Sequence, residues 1–84
     1  MIPIPTRTFT RTYLFPVELI AEEDGRWSAI VPALPGCSTW GYTREQALAN
    51  ASEAATAHVL DMREVGEEVP VVGAVEGETA TVTV

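Results

Sequence analysis

Eighty-four residues set the length of one domain, and 46% hydrophobic with 20% charged residues places the chain among globular rather than disordered sequences. Twelve acidic residues against five arginines give a formal net charge of −7, which would repel a phosphate backbone and attract a basic protein, while plain solubility is the simpler reading of the charge alone. The lone Cys37 excludes an intrachain disulfide and a cysteine-based metal cluster, and no apolar run approaches the roughly 20 residues of a spanning helix.

The N-terminus carries polar Thr and Arg where a signal peptide would be apolar, so a cytoplasmic protein without membrane contact is expected. A chain this short buries only about 60–65% of its unfolded surface, so help from a homo-oligomer, a dimer or tetramer, or from a partner is expected too.

Residues 1–11, with Pro3 and Pro5, read as an extended arm, followed by one domain over 12–84. From Thr12 to Glu22 the chain alternates. Tyr13, Phe15, Val17, Leu19 and Ala21 share one face of a strand, and Leu14, Pro16, Glu18, Ile20 and Glu22 the other. Pro16 has no N–H, so it must point away from a pairing strand or sit at a bulge. Glu23-Asp24-Gly25-Arg26 reads as a turn, with Gly25 free to adopt positive φ.

Trp27 to Val31 reads as a second strand, ended by Pro32. Leu34-Pro35-Gly36 favours a type II turn, and Cys37 to Tyr42 forms a third strand. Thr43 has the character of a helix N-cap, with Gln46 completing a capping box. The helix is predicted from Arg44 to about Glu64, with Gly66 as its stop. At helical spacing Leu48, Ala51, Ala55, Val59 and Met62 form the buried stripe, with Glu45, Asn50, Glu53, Asp61 and Glu64 outward. Residues 67–70 form a loop, 71–75 an extended segment, 76–78 a turn and 79–84 a last strand.

The predicted class is therefore α+β in the order β-β-β-α-β. It has one mostly antiparallel sheet and a single helix on one face, and a right-handed crossover allows the last strand to lie parallel to the first. One helix leaves the other face bare. Leu14, Glu18, Ile20, Ile30, Trp40 and Tyr42 are the candidate partner-binding residues there, and Ser28 shares the face. Two covers remain open: a protein partner anchored on Trp40 and Tyr42, or the chain's own arm or 67–77 segment.

Enzyme signatures are thin. His58 is the single histidine and flanks the apolar stripe of the helix. Cys37 has no base placed beside it, and a small buried residue is the simpler reading. Glu22, Glu23 and Asp24 form an acidic turn of the ordinary solvated kind. There is no Walker loop, dinucleotide fingerprint or His-Glu-x-x-His. Only Arg7 and Arg11 in the arm offer phosphate contacts. No catalytic, cofactor or metal site is expected, and no direct nucleic-acid binding.

Over about half the chain the punctuation resembles the HicB family of antitoxins. The matching pieces are Val17–Leu19, Asp24-Gly25, Ala29-Ile30-Val31-Pro32, Leu34-Pro35-Gly36-Cys37, and Gly41-Tyr42-Thr43 followed by Glu45, Ala47, Asn50, Ala51, Glu53 and Ala54. The resemblance implies a partial, degenerate RNase H-like fold without nuclease activity. It also implies a small basic mRNA-cleaving toxin of the HicA type as partner, neutralised by protein–protein contact. Ala33 and Tyr42 stand where family members commonly carry aspartate. Many HicB antitoxins also carry a C-terminal DNA-binding domain; the about 20 residues after this helix read as loop and strand, so that domain is expected to be lacking. The alternative expectation is a homo-oligomeric binding module with no cognate toxin.

Overall fold

The computed structural model describes residues 11–73 and 76–84. Its elements are β1 (Thr12–Pro16), β2 (Glu18–Ala21), β3 (Trp27–Ile30), β4 (Ser38–Gly41), α1 (Arg44–Glu64) and β5 (Thr79–Thr83). The class is α+β, with antiparallel sheets and one helix. Except for Arg11, the expected N-terminal arm lies outside the described residues. Arg11 exchanges both backbone hydrogen bonds with Val84 at 2.7 and 2.9 Å, extending the β1 ladder.

The alternating run from Thr12 changes partner at Val17. β1 pairs antiparallel with β5, Phe15 lying opposite Ala80, whereas β2 pairs antiparallel with β3, Leu19 lying opposite Ala29. Pro16 explains the handover. The Arg11 and Val17 N–H groups donate to Val84 and Glu78, so odd-numbered residues turn their backbone groups toward β5. Even-numbered residues turn theirs to the other side, where the Glu22 N–H donates to the Arg26 carbonyl across the β2–β3 turn. Pro16 falls on that second side. Continuing the β2–β3 register by two residues places it opposite Pro32, just past the end of β3. Two residues without an N–H face each other there, so the loss of pairing strands no donor.

The direction of the last strand corrects an expectation. β5 runs antiparallel to β1, not parallel to it. A helix of 21 residues is about 30 Å long, and the 14 residues from 65 to 78 reach up to about 46 Å when extended. The chain therefore has length enough to return along the helix before β5 begins. It does so: Arg44, at the helix start, pairs with Glu78 at 3.0 Å, and further along the helix Ser52 Oγ accepts from the Thr81 N–H at 3.1 Å. β5 thus runs in the direction of α1. Residues 71–73 of the expected extended segment take part in no strand, and Ala74 and Val75 lie outside the described residues.

The helix bounds match the reading from sequence. Thr43 is extended, and its Oγ1 accepts from the Gln46 N–H at 3.0 Å. The Gln46 side chain reaches past the cap, accepting the Tyr42 N–H at 2.6 Å. At the other end Gly66 takes φ +78, with Glu67 N–H donating to Met62 and Gly66 N–H to Arg63. That is a Schellman stop, which a Cβ at Gly66 would strain. Gly66→Ala is expected to cost about 1 kcal/mol and to lower the melting temperature by about 4–8 °C, measured by circular dichroism.

The core holds Phe15, Ala29, Val31, Leu34, Cys37, Ala80 and Val82 against Ala47, Ala51, Ala55 and Val59 of the helix. Val69 and Val72 of the returning segment pack onto the same cluster. The predicted stripe was one residue off at its start: Ala47 is buried, and Leu48 only partly. The reason lies in β4, whose Gly41 allows the helix backbone to sit directly on it. Asn50, expected to point outward, instead donates to the Trp40 carbonyl at 2.8 Å. Asn50 and Gln46 on the β4 edge and Ser52 on the β5 edge thus occupy backbone groups that an intruding strand would need.

Candidate functional site

The face of the β2–β3–β4 sheet turned away from α1 is organised by register. Glu18, Ile30 and Ser38 form one cross-strand row, and Ile20, Ser28 and Trp40 the next. Glu22 faces Arg26, and one further step along the β3–β4 register brings Arg26 opposite Tyr42. Ile20 and Trp40 remain 44% and 45% exposed and Tyr42 68%, so nothing among the described residues covers them. The returning segment packs Val69 and Val72 into the core cluster of Phe15, which lies on the helix side. It does border Leu14, which lines a depression with Pro70, Val71 and Val72 on β1.

Side chains on this face are held by one another. The Trp40 and Tyr42 rings meet edge to face, 5.1 Å between centroids and 87° between planes. The Arg26 guanidinium lies over the Trp40 ring at 5.1 Å, a cation–π contact at an exposed site. Asp24 anchors Arg26, accepting from its backbone N–H at 3.0 Å and from Nε at 2.7 Å. The Arg26 hydrogen bonds hold the Asp24 carboxyl below its ordinary value and, reciprocally, push the guanidinium higher. Ser28 Oγ donates to Glu22 Oε1 at 2.7 Å. The face thus combines an aromatic edge on β4 with a carboxylate edge on β2.

A match to the model of a protein family extends over residues 15–82, described as the HicB-like antitoxin of bacterial toxin–antitoxin systems. The chain belongs to the HicB-like antitoxin family. A UPF0150 protein of Thermoplasma acidophilum is 39% identical over 56 residues, covering 67% of this chain and 81% of that relative. In structure this HicB-like chain is similar to the N-terminal domain of the Burkholderia pseudomallei antitoxin HicB. The TM-score is 0.65 at 25% identity, covering 84% of this chain and 94% of that one.

On this HicB-like domain the structure brings Glu18, Ile20, Ile30, Trp40 and Tyr42 together on one face of one three-stranded sheet. Leu14 stands apart from them, on β1 beside the returning segment. Reading the sequence missed Arg26 as part of the same surface, and it placed Glu22 on that strand face without counting it among the candidate residues. The signal was available: the Gly25 turn sets the β2–β3 register, and that register places both residues level with Tyr42.

The side chains weighed for chemistry are dispersed. Among the described residues no three His, Cys, Asp or Glu side chains converge on a possible metal position. Cys37 is buried, and that burial pushes its thiol up, the opposite of what an activated nucleophile needs. The thiol is therefore expected to react with a disulfide reagent only as fast as the chain unfolds. With a raised native value, the native state keeps its proton to higher pH than the unfolded chain. Stability is thus fully present below the ordinary thiol range and falls as pH rises above it. Native-state labelling at neutral pH as fast as in denaturant would contradict this burial.

Proposed function

We propose that this HicB-like domain neutralises a small basic, mRNA-cleaving toxin of the HicA type by protein–protein contact. In this reading the outer face of β2–β3–β4 is the surface applied to the toxin. The observation that carries it is the family match over residues 15–82, and the face left bare supplies the place. A net charge of −7 supports a basic partner by steering it and disfavours nucleic acid. The domain acts as a binding protein without catalysis of its own, in the cytoplasm where such a toxin would meet its mRNA. Among the described residues no helix is long and apolar enough to cross a membrane.

Co-expression tests the reading. On this reading the neighbouring DNA encodes a short basic protein that should arrest growth when induced alone and cease to do so when the chain is co-expressed. The purified pair should form a complex that no longer cleaves mRNA. No complex and no protection against a HicA-type ribonuclease would defeat it.

Self-association into a dimer or tetramer is the second reading, favoured by exposed Leu60, Val65 and Val71, which lie outside the outer face. Light scattering at high micromolar concentration distinguishes it, since a strict monomer would exclude it.

A further inference from the structure

We propose that the outer face contains a furrow that receives a long basic side chain, arginine or lysine, from the protein partner. Its stem lies against Trp40 and Ile20 and its cationic head against the Glu22 carboxylate. The proposal rests on the antitoxin reading and names the chemistry by which the face would recognise its toxin.

The floor follows from register. Ser28, on the central strand, stands between Ile20 and Trp40 in one row, and it is far smaller than either neighbour. A small residue between two large ones leaves a channel. Two depressions, of about 530 and 370 Å³, share Glu22, Ser28 and Trp40, so they join over that serine.

The walls differ in chemistry. One, on the β4 side, is the half-exposed Trp40 ring; across the channel from it, on the β2 side, Ile20 stands next to Glu22. The other is Glu22, whose Oε1 is held by the Ser28 hydroxyl while Oε2 has no hydrogen bond among the described residues. Among the described residues the ion pairs are Asp24–Arg26 and Arg44–Glu78, which leaves Glu22 and its neighbour Glu23 unmatched.

The chain's own Arg26 shows what this combination holds. Its guanidinium lies on the Trp40 ring and against the Asp24 carboxylate, at the end of the larger depression. An aromatic surface beside a carboxylate thus already retains one guanidinium. A second carboxylate, Glu22, lines the same depressions as that ring. An anionic guest would meet Glu22 and Glu23. A neutral apolar guest would cover the Glu22 oxygen without replacing its water. Only a cation on an aliphatic stem satisfies both walls.

The test titrates capped glycine pentapeptides with one central arginine, lysine or norleucine into the isotope-labelled full chain. The Trp40 indole and the Ser28 and Glu22 amides are followed by NMR. Arginine and lysine peptides should move these signals saturably with millimolar affinity, and the norleucine peptide should not. Glu22→Gln keeps an acceptor for Ser28 yet should weaken toxin binding about tenfold or more, and Ser28→Leu should fill the floor with a similar loss. Equal saturation by norleucine, or no saturation by arginine, overturns the furrow. If wild type, Glu22→Gln and Ser28→Leu neutralise the toxin alike, the furrow fails and the antitoxin reading stands. If the toxin is never bound while the arginine peptide still saturates at Trp40, the antitoxin reading fails and the furrow stands.

Discussion

Gly41→Val is expected to leave the chain without a cooperative unfolding transition. A Cβ at Gly41 would fall on the Ala47 nitrogen and within 2.9 Å of the Ala47 Cα and the Gln46 carbonyl carbon. These are backbone atoms, so no rotamer change relieves the overlap. Nor can the first turn of the helix retreat freely. Thr43 Oγ1 holds the Gln46 N–H, and Gln46 holds the Tyr42 N–H one residue from the substitution. Lifting the helix would also open the seam of Ala47, Ala51 and Ala55, all fully buried. Ordinary overpacking costs about 1–3 kcal/mol, and a backbone collision with two anchored turns should exceed that. A small domain has only about 5–15 kcal/mol to lose, with chains of this length at the lower end. Thermal and urea melts of Gly41→Ala and Gly41→Val measure the effect. An alanine variant melting within about 3 °C of wild type would mean that the helix can shift at little cost.

If the outer face binds a toxin as proposed, Trp40→Ala is expected to remove that binding while leaving the fold in place. Trp40 is the largest exposed ring on the outer face, and it organises its neighbours: Arg26 stacks on it and Tyr42 meets it edge-on. Buried aromatic anchors at interfaces commonly cost about 2–4 kcal/mol on truncation, which corresponds to a loss of about 30- to 1,000-fold in affinity. Stability should fall much less, because nearly half of the side chain already faces water in the free domain. Calorimetric titration with the purified toxin, beside a melting curve of each variant, separates the two effects. A variant that binds as wild type does would move the interface to another surface. Melting far below wild type would show instead that Trp40 holds the fold.

Much of the architecture could be read locally because its signals are local. Alternation assigned Phe15, Val17 and Leu19 to one face and Ile20 to the other. Asp24-Gly25, Pro35-Gly36 and Thr43 marked two turns and a cap. Gly25 and Gly36 take φ of +90 and +79, and the Cys37 N–H closes the second turn onto the Leu34 carbonyl at 2.9 Å. The grouping of Ile20, Ile30, Trp40 and Tyr42 followed from the same alternation once three hairpin-linked strands were assumed. Arg26 escaped notice because a charged residue in a turn reads as solvated. Its position over Trp40 depends on a strand 14 residues further along the chain.

The residues alone determined the bounds of α1, the turns at Gly25 and Gly36, the alternation of faces along the strands, and the acidic charge, since these depend on neighbours one to four positions away. Tertiary structure decided the direction of β5, the change of partner at Pro16, and the choice of Ala47 over Leu48 for the buried stripe. The 65–78 connection is long enough to leave both directions of β5 open, and periodicity cannot choose between them. Contacts far apart in sequence, Arg44 with Glu78 and Ser52 with Thr81, accompany the direction taken. In the same way Gly41 is any small residue until a helix lies on it, and Ser28 is any polar strand residue until Ile20 and Trp40 rise on either side.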